Sequence, residues 1–399
     1  MPVTIFKEQF DNAYQEILSK TLVAKPIANF RFESDLKYGE SVERVILDLS
    51  GIKVRNVVRG NASIIDALGN SSELLTVNLE KEAVFYMSDG EMKQAGPQKP
   101  GEVAGAAIAL KVQADFDARI LYETKNAYQT FDTGDLTTLA STGVGITLSS
   151  TTVPQMVTRM PAKVKKGGQQ QTLSSMALVI DNYAAADIAL YMLGKEFDIV
   201  SSVFRNGQVD GIIAQAEVYV SENLTGEAVL TMTDVFVNTQ TVTINGVVFT
   251  SVSSIGTAAG NFLIGTLAES LGYLAALINA PGTTSATQVA LSADDQETIT
   301  ETLKLAATAT STTLTVVGTG SGRLTVAETQ TNGSWTKNII HCYYGKKGAI
   351  DAVLQDKNEV DIRPCSDRRG SNIFSSYLGA VKTFVDGAKK FLDLQIVAG

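Results

Sequence analysis

The sequence predicts a mixed α+β protein that carries a smaller α+β domain inserted in its second half. Three observations lead to this class. Residues 41–88 alternate apolar and polar side chains with the period of two that is typical of half-buried strands. Residues 102–127 carry a helical apolar stripe, long enough for a rod of about 39 Å. Between residues 226 and 336 the composition changes, and a complete new set of turn, helix and strand signals appears.

The composition excludes several functional classes. With 399 residues, 44% hydrophobic and 19% charged, the chain has the make-up of a folded protein of two or three domains. The net charge is −9 and basic runs are short, which argues against a protein that grips nucleic acid. No apolar stretch reaches about 18 residues, so we expect no membrane span. The N-terminus is charged where a signal peptide has its apolar run, so we expect folding in a cytoplasm.

The first 20 residues predict an amphipathic helix over residues 4–20. Phe6, Phe10 and Tyr14 follow the spacing that places them on one face. A single terminal helix cannot bury such a face on itself, so it must dock on its own body or on a neighbouring molecule. The sequence leaves both alternatives open.

Residues 41–88 predict an extended arm of the hairpin type. Strand patterns at residues 42–49, 54–58 and 75–79 flank a polar stretch, residues 60–71, that suits a loop tip. An arm with little core of its own is stable only when it lies on something else.

The middle of the chain predicts helices packed on a mixed sheet. Helical patterns cover residues 102–127, 153–166 and 183–193, and Pro161 is expected to kink or end the second. A buried strand is predicted at residues 177–180 and a half-buried strand at residues 207–226. The apolar face of the latter comprises Ile212, Ala214, Ala216, Val218 and Val220.

Residues 226–336 have the signals of an inserted domain. The segment is rich in threonine and carries eight acidic and only two basic side chains. Asn245-Gly246 predicts a hairpin turn, and Thr266 with Glu269 forms a capping box that opens a helix ending at Pro281. Strand candidates then follow at residues 299–305, 312–317 and 323–327, and a surface loop is expected around Asp294, Asp295 and Glu297.

After the insertion the sequence returns to its earlier character. Residues 338–345 predict a strand, which we expect to pair beside residues 209–220 so that the insertion leaves and rejoins one sheet edge. A short helix is predicted at residues 349–355. Two closing strands within residues 377–397 are expected to form a hairpin about Asp386-Gly387.

Few residues suggest chemistry. Cys342, Cys365 and the single histidine, His341, do not have zinc-ligand spacing, so a buried and reduced cysteine pair is expected. His341 and Cys342 are adjacent on a strand and point to opposite faces, which disfavours a nucleophile–base pair. The glycine-rich residues 318–323 precede a strand and not a helix, so they predict a hairpin turn and not a dinucleotide loop. We predict no enzymatic activity, no catalytic residue, no cofactor and no metal.

Several segments, in matching order, resemble the major capsid proteins of tailed bacteriophages. The strand "GQVDGIIAQAEVYVSENL" resembles their glycine-led strand with its V-Y-V-S-x-N-L ending. "VNLEKEAVFYMSDGEMKQA" resembles the end of their extended loop, and "AGAAIALKVQADFDARILYETKNA" resembles their spine helix. "HCYYGKKGAIDAVLQDKNEVDIRP" and "YLGAVKTFVDGAKKFLDLQIVAG" resemble the returning and closing segments. The resemblance covers the chain outside the insertion.

The resemblance implies the Hong Kong 97-type capsid fold, an α+β fold, with an insertion domain. It implies five parts along this chain. They are an N-arm (1–37), an E-loop (38–96), a peripheral or P domain (97–175 and 363–399, with the spine helix at 102–127), an axial or A domain (176–225 and 337–362), and the insertion (226–336).

The resemblance implies a structural protein that self-assembles into the icosahedral shell around a packaged double-stranded DNA genome. It implies hexamers and pentamers of this chain, a portal, an outer surface that can take a decoration protein, no sequence-specific DNA contact and no membrane. The chain begins at the arm, so we expect a separate scaffolding protein. The location implied is the virion, after assembly in the cytoplasm of a bacterial host. The alternatives are an encapsulin-like compartment shell and a phage tail or adhesion protein.

Inter-subunit contacts are expected on the arm and the E-loop. The candidate contact residues are Phe6, Phe10, Tyr14, Arg55 and Arg59. Some relatives cross-link an E-loop lysine to an asparagine. Lys53 and Asn56 supply these residue types, but nothing in the sequence locates a partner, so cross-linking is not expected.

Overall fold

The structure is a computed structural model. It describes residues 24–32, 40–48, 69–88, 90, 100–166, 175–193, 204–205, 208–209, 212–355 and 361–398. The predicted N-terminal helix, the strand pattern at residues 54–58 and most of the predicted loop tip lie outside the described residues.

The described chain contains both helices and strands, with the strands in runs and not in strict alternation with the helices, which confirms the α+β class. The α-helices are α1 (Pro100–Tyr122), α2 (Thr152–Lys166), α3 (Asn182–Leu193), α4 (Leu267–Asn279), α5 (Ala293–Glu297) and α6 (Val385–Ala388). The shorter helical turns are Glu123–Asn126 and Thr133–Leu136, which are 3₁₀, and Thr298–Thr302, which is π-helical. No helix among these residues is both long enough and apolar enough to cross a bilayer.

The strands before the insertion are β1 (Ala28–Asn29), β2 (Ser41–Asp48), β3 (Gly69–Thr76), β4 (Leu79–Ser88), β5 (Gln129–Phe131), β6 (Met176–Ile180), β7 (Phe204–Arg205), β8 (Gln208–Val209), β9 (Ile212–Ile213) and β10 (Ala216–Val220). Those that follow are β11 (Thr225–Met232), β12 (Thr241–Ile244), β13 (Val247–Val252), β14 (Asn261–Leu263), β15 (Leu305–Ala309), β16 (Thr313–Gly318) and β17 (Val326–Glu328). The last are β18 (Gly333–Lys346), β19 (Ile350–Gln355), β20 (Asp361–Pro364), β21 (Gly370–Lys382) and β22 (Phe391–Val397).

The largest sheet runs through both residues 226–336, the predicted insertion and called the insertion below, and the rest of the chain, called the host. Its order is β15-β16-β11-β18-β6-β10-β9. The long strand β18 pairs along one edge first with β11 and then with β6, and along its other edge with β22. Because β11 and the first part of β18 come from the insertion, the insertion shares one hydrogen-bonded sheet with its host.

A second sheet lies against the long helix α1. Strand β21 pairs with β4 on one edge and with β19 and β20 on the other. Phe116 of α1 is fully buried and meets the Tyr377 ring edge-on at 6.2 Å between centroids. Gly379 of β21 permits this approach, because a Cβ there would lie 3.1 Å from the Phe116 ring. The predicted helix of residues 102–127 is thus confirmed in place, with its last turn 3₁₀.

The insertion has a core of its own. A four-stranded sheet, β14-β13-β12-β17, and helix α4 bury an apolar cluster that includes Phe249, Phe262, Leu271 and Leu274. The predicted hairpin turn is present, with Asn245 at φ 47° and Gly246 at φ 85°. The predicted capping box of Thr266 and Glu269 at the start of α4 is also present.

Three local predictions were wrong around the return to the host. The helix predicted over residues 349–355 is absent, and Ile350–Gln355 forms strand β19, because Ile350, Ala352 and Val353 are all buried and so give no amphipathic period to read. Residues 338–345 do not pair beside residues 209–220, because β6 lies between β18 and β10. The closing strands β21 and β22 do not form a hairpin but join different sheets through α6.

The helix predicted over residues 153–166 is present as α2. It does not end at Pro161, since its buried stripe extends past that residue to Val164.

The single strand predicted over residues 207–226 is also wrong. The chain makes short strands there, and β9 pairs antiparallel with β10. The reversal occurs at Ala214 and Gln215, both with positive φ (51° and 65°). Alanine and glutamine rarely adopt this conformation, so no turn signature was present to read.

Three further corrections concern the insertion. Residues 299–305 are not a strand, because a π-helical turn continues α5 and strand β15 begins only at Leu305. The segment with Asp294 and Asp295 is not a loop but helix α5, capped by the Ser292 side chain. Residues 318–323 are not a hairpin turn, because β16 and β17 belong to different sheets.

The outer strand of the large sheet is protected by a side chain. The Asn279 amide at the end of α4 donates to the Ala307 carbonyl and accepts from the Ala307 N–H of β15, both at 2.8 Å. An asparagine thus satisfies backbone groups that an additional strand would otherwise bond, which reduces the hazard of an open sheet edge.

We predict that Asn279→Ala destabilises the protein by about 1–3 kcal/mol, since two backbone hydrogen bonds are lost. The measurement is the shift of the urea unfolding midpoint. Thr308→Ala, an exposed position on the same strand, is the control and should change stability by less than about 0.5 kcal/mol. Equal shifts for the two variants would contradict the role of Asn279.

Candidate assembly surfaces and the junction of the insertion

The hairpin of β2 and β3 forms a two-stranded sheet of its own. Its inward face carries Val42 opposite Leu75, and Leu75 is buried in a small cluster that includes Phe384. Its outward face carries Val45 and Leu74, which are 63% and 49% exposed. The described part of the predicted hairpin arm is therefore confirmed, with one face anchored and one face open, on which Leu74 lies opposite Glu43 and Val45 lies opposite Ser72.

A charge network fastens the hairpin to the body. The Arg44 guanidinium donates two hydrogen bonds to the Asp386 carboxylate, at 2.8 and 2.6 Å. Lys382 Nζ donates to the Leu74 carbonyl at 2.7 Å. Burial raises the pKa of Asp386, but Arg44 and Lys390 outweigh it and hold that pKa below its ordinary value. The carboxylate therefore stays charged and the anchor persists at neutral pH.

None of the predicted contact residues can be placed. Phe6, Phe10, Tyr14, Arg55 and Arg59 lie outside the described residues, and so do Lys53 and Asn56. The hairpin's open face was not predicted from the sequence, although a signal was present. Val45 is out of phase with Val42, and the period of two therefore puts it on the opposite face.

The insertion begins at a buried cluster of charges around Glu227 on β11. Its carboxylate accepts hydrogen bonds from Lys125 Nζ at 2.6 Å and Lys337 Nζ at 3.0 Å. His341 Nε2 lies 3.4 Å away. Burial raises the pKa of Glu227, but His341 and Lys125 outweigh it and hold that pKa well below its usual range. A single glutamate within the apolar run of β11 was the available sequence signal, but the cluster was not predicted from it.

Two further ion pairs connect the insertion to the host. Lys304 Nζ bonds the Asp115 carboxylate on α1, and the Tyr377 hydroxyl donates to the same carboxylate. Arg323 donates to Asp181, which is buried, with Nε 2.6 Å from Oδ2. Both basic side chains of the insertion are thus used against host carboxylates, which leaves its outer surface acidic.

A cleft of about 490 Å³ lies between α1, β4 and the insertion. Lys81 and Lys111 line its host wall, and Glu297 and Glu301 line the insertion wall. The Lys304–Asp115 pair also lines this cleft, so the cleft marks the interface between the insertion and the host.

The cysteines and the histidine do not form a reactive pair. Cys342 is fully buried, and burial raises the pKa of its thiol well above the ordinary value. His341 Nδ1 faces Asp393 at 2.8 Å. Cys365 is half-buried and both cysteines are free thiols, so the expected reduced state is found but a fully buried pair is not. Within the described part of the chain, no His, Cys, Asp and Glu side chains cluster as metal ligands.

Comparison with solved structures finds similarity to tailed-phage capsids over most of the chain. The capsid of Ralstonia phage GP4 is 8% identical with a TM-score of 0.45, and the match covers 95% of this chain and 88% of that one. The capsid of an empty GTA particle is 8% identical with a TM-score of 0.46, covering 94% and 90%. The capsid of Myoviridae phage XM1 is 13% identical with a TM-score of 0.40, covering 94% and 90%. No protein-family profile and no curated protein sequence matches the chain.

We predict that Arg323→Gln destabilises the protein by about 3 kcal/mol, because it leaves the buried Asp181 carboxylate without its cation. The measurement is the unfolding midpoint in urea. Lys347→Gln is the control, since its partner Glu217 is 56% exposed and such pairs contribute about 0–1 kcal/mol. If Arg323→Gln were as mild as the control, the Arg323–Asp181 pair would not be a structural tie.

Proposed function

We propose that this chain is a major capsid protein that self-assembles into the icosahedral shell around the double-stranded DNA of a tailed phage. The observation that carries the proposal is the β2–β3 hairpin. It is a separate two-stranded sheet whose outward face exposes Val45 and Leu74. The inward face is anchored to the body, and the exposed Val45 and Leu74 side chains of the outward face are best covered by another copy of the same chain.

Assembly by such contacts has a simple physical basis. Each hairpin–neighbour contact is small, but a closed shell repeats it in every copy. A subunit that closes a ring binds two neighbours, and once it has bound one, its contact with the other forms at a high effective concentration. The assembly therefore gains avidity without any single strong interface. The resemblance of the ordered sequence segments to capsid proteins supports the same conclusion.

The domain organisation that we propose is the one given by the resemblance, with residues 226–336 as the insertion. The structure adds one detail. The two boundaries of the insertion fall within strands β11 and β18, which pair with each other. This pairing, together with the ties of Glu227, Lys304 and Arg323, favours fold stabilisation as the insertion's role.

The proposed partners follow from the same function. Copies of this chain form hexamers and pentamers, a scaffolding protein and a portal take part in assembly, and a decoration protein can bind the outside. The shell encloses DNA without reading its sequence and performs no catalysis. The proposed location is the virion, after assembly in a bacterial cytoplasm.

The test is negative-stain electron microscopy of the purified protein and of lysate from cells that express it. Closed particles or hexameric rings are expected. A monomer under all conditions of salt, pH and concentration would overturn the proposal. Closed particles that hold a cargo enzyme and no DNA would indicate a compartment shell instead.

We predict that Leu74→Lys reduces assembly at least tenfold, because it replaces one of the two exposed apolar side chains that a neighbour would cover with a charged one. Leu74→Met keeps that side chain apolar and should assemble like the unmodified protein. The measurement is the fraction of protein in particles by sedimentation, with thermal unfolding of the unassembled protein as a check. Since Leu74 is half-exposed, both variants should unfold within a few degrees of the unmodified protein. Equal assembly of the two variants would show that this face is not an interface.

A further inference from the structure

The single histidine of the chain lies buried at the centre of the large sheet. His341 is on β18 and is 2% exposed. Its Nδ1 lies 2.9 and 2.8 Å from the two carboxylate oxygens of Asp393 on β22. Its Nε2 lies 3.4 Å from Glu227 on β11 and has no hydrogen-bond partner at closer range. The ring therefore stands between two carboxylates from the strands on either side.

The other charged groups that face this position come from two elements. Lys337, also on β18, and Lys125, in the 3₁₀ turn after α1, both bond the Glu227 carboxylate. On β22 the neutral amide of Gln395 donates to Asp393 Oδ2 at 3.0 Å. Glu227 is thus matched by two ammonium groups, whereas Asp393 has the imidazole as its cationic partner in this cluster.

The position of the ring has a structural consequence. Thr225, His341 and Gln395 are direct cross-strand neighbours on β11, β18 and β22. Strand β11 is the first strand of the insertion and β22 is the last strand of the chain. Both strands bond the backbone of β18, one along each edge. A cationic ring between Glu227 and Asp393 therefore joins β11 and β22 through side chains as well.

Both carboxylates act on the protonation of the ring. Burial lowers the pKa of His341, but the nearby Asp393 and Glu227 outweigh it, and the net effect is a raised pKa. The doubly protonated ring can donate from both nitrogens, which a neutral imidazole cannot do.

We propose that His341 is a proton-controlled tie that fastens the first strand of the insertion to the closing strand of the chain. This inference concerns the stability of the junction and does not depend on the proposed capsid function. The charged ring holds Glu227 and Asp393 together, whereas the neutral ring leaves the buried Asp393 carboxylate without its cation while Glu227 keeps its two lysines.

The direction of the pH dependence follows from the raised pKa. A group whose pKa is higher in the folded state contributes its full stabilisation below its unfolded pKa, which is about 6.5 for histidine. That contribution is lost as the pH rises through the folded pKa. The junction is therefore tighter at mildly acidic pH than at alkaline pH.

The first experiment is a titration by nuclear magnetic resonance of unassembled protein labelled at histidine carbon. Because the chain has one histidine, one imidazole signal reports the site without assignment. The midpoint is expected above about 6.5 and should fall in Asp393→Asn, which removes the closest carboxylate. Glu217→Gln, which removes an exposed carboxylate that pairs with Lys347, is the matched control and should leave the midpoint unchanged. A midpoint at or below about 6.5 in the unmodified protein would overturn the proposal.

The second experiment is hydrogen–deuterium exchange of β11 and β22, corrected for the intrinsic pH dependence of exchange. Protection of these strands should fall at least tenfold as the pH rises through the measured midpoint. The amides of α4, in the core of the insertion, should keep their protection. His341→Gln should have low protection of β11 and β22 at all pH values. Two outcomes would show that the ring does not control the junction. One is that His341→Gln loses protection at the same pH as the unmodified protein. The other is that the unmodified protein loses no protection as the pH rises. Asp393→Asn provides a second comparison if His341→Gln does not fold.

Discussion

The backbone pairing of β18 is the constraint on which the rest of the structure depends. This one strand bonds β11 and β6 along one edge and β22 along the other. It thereby links the insertion, the middle of the chain and the C-terminal strand in a single hydrogen-bonded sheet. Burial of both Tyr343 and Tyr344, which point to opposite faces, shows that both sides of the strand are covered where it enters the main core.

Ion pairs complement this backbone pairing at the interface between the insertion and the host. The carboxylates of Asp115 and Asp181 on the host side meet the only two cations of the insertion, and Glu227 of the insertion meets two host lysines. Such partly buried pairs contribute little net free energy compared with apolar groups of the same shape, but breaking one leaves an uncompensated charge. Loss of one partner at this interface therefore costs more than the intact pair contributes.

The sequence predicted those elements whose signals are local. The long helix, the Asn245-Gly246 hairpin and the Thr266–Glu269 capping box each depend on a few adjacent residues, and each is present. The predictions failed where tertiary contacts decide. The segment from Ile350 is a strand because both its faces are covered, and the reversal at Ala214 uses residues without turn character. The strand order around β18 involves partners far apart in sequence, and no local pattern specifies them. The Glu227 and His341 cluster was missed for the same reason, since its members come from four separate segments.

The continuity of β18 also determines how the protein responds to mechanical load. A force that pulls the insertion outward along this strand acts parallel to the strand, so the backbone bonds from β18 to β6 and β22 resist it together in shear. A force applied across the strand would instead open these bonds one after another. One unbroken strand thus carries tension from the insertion into the main core, where Tyr343 and Tyr344 are buried.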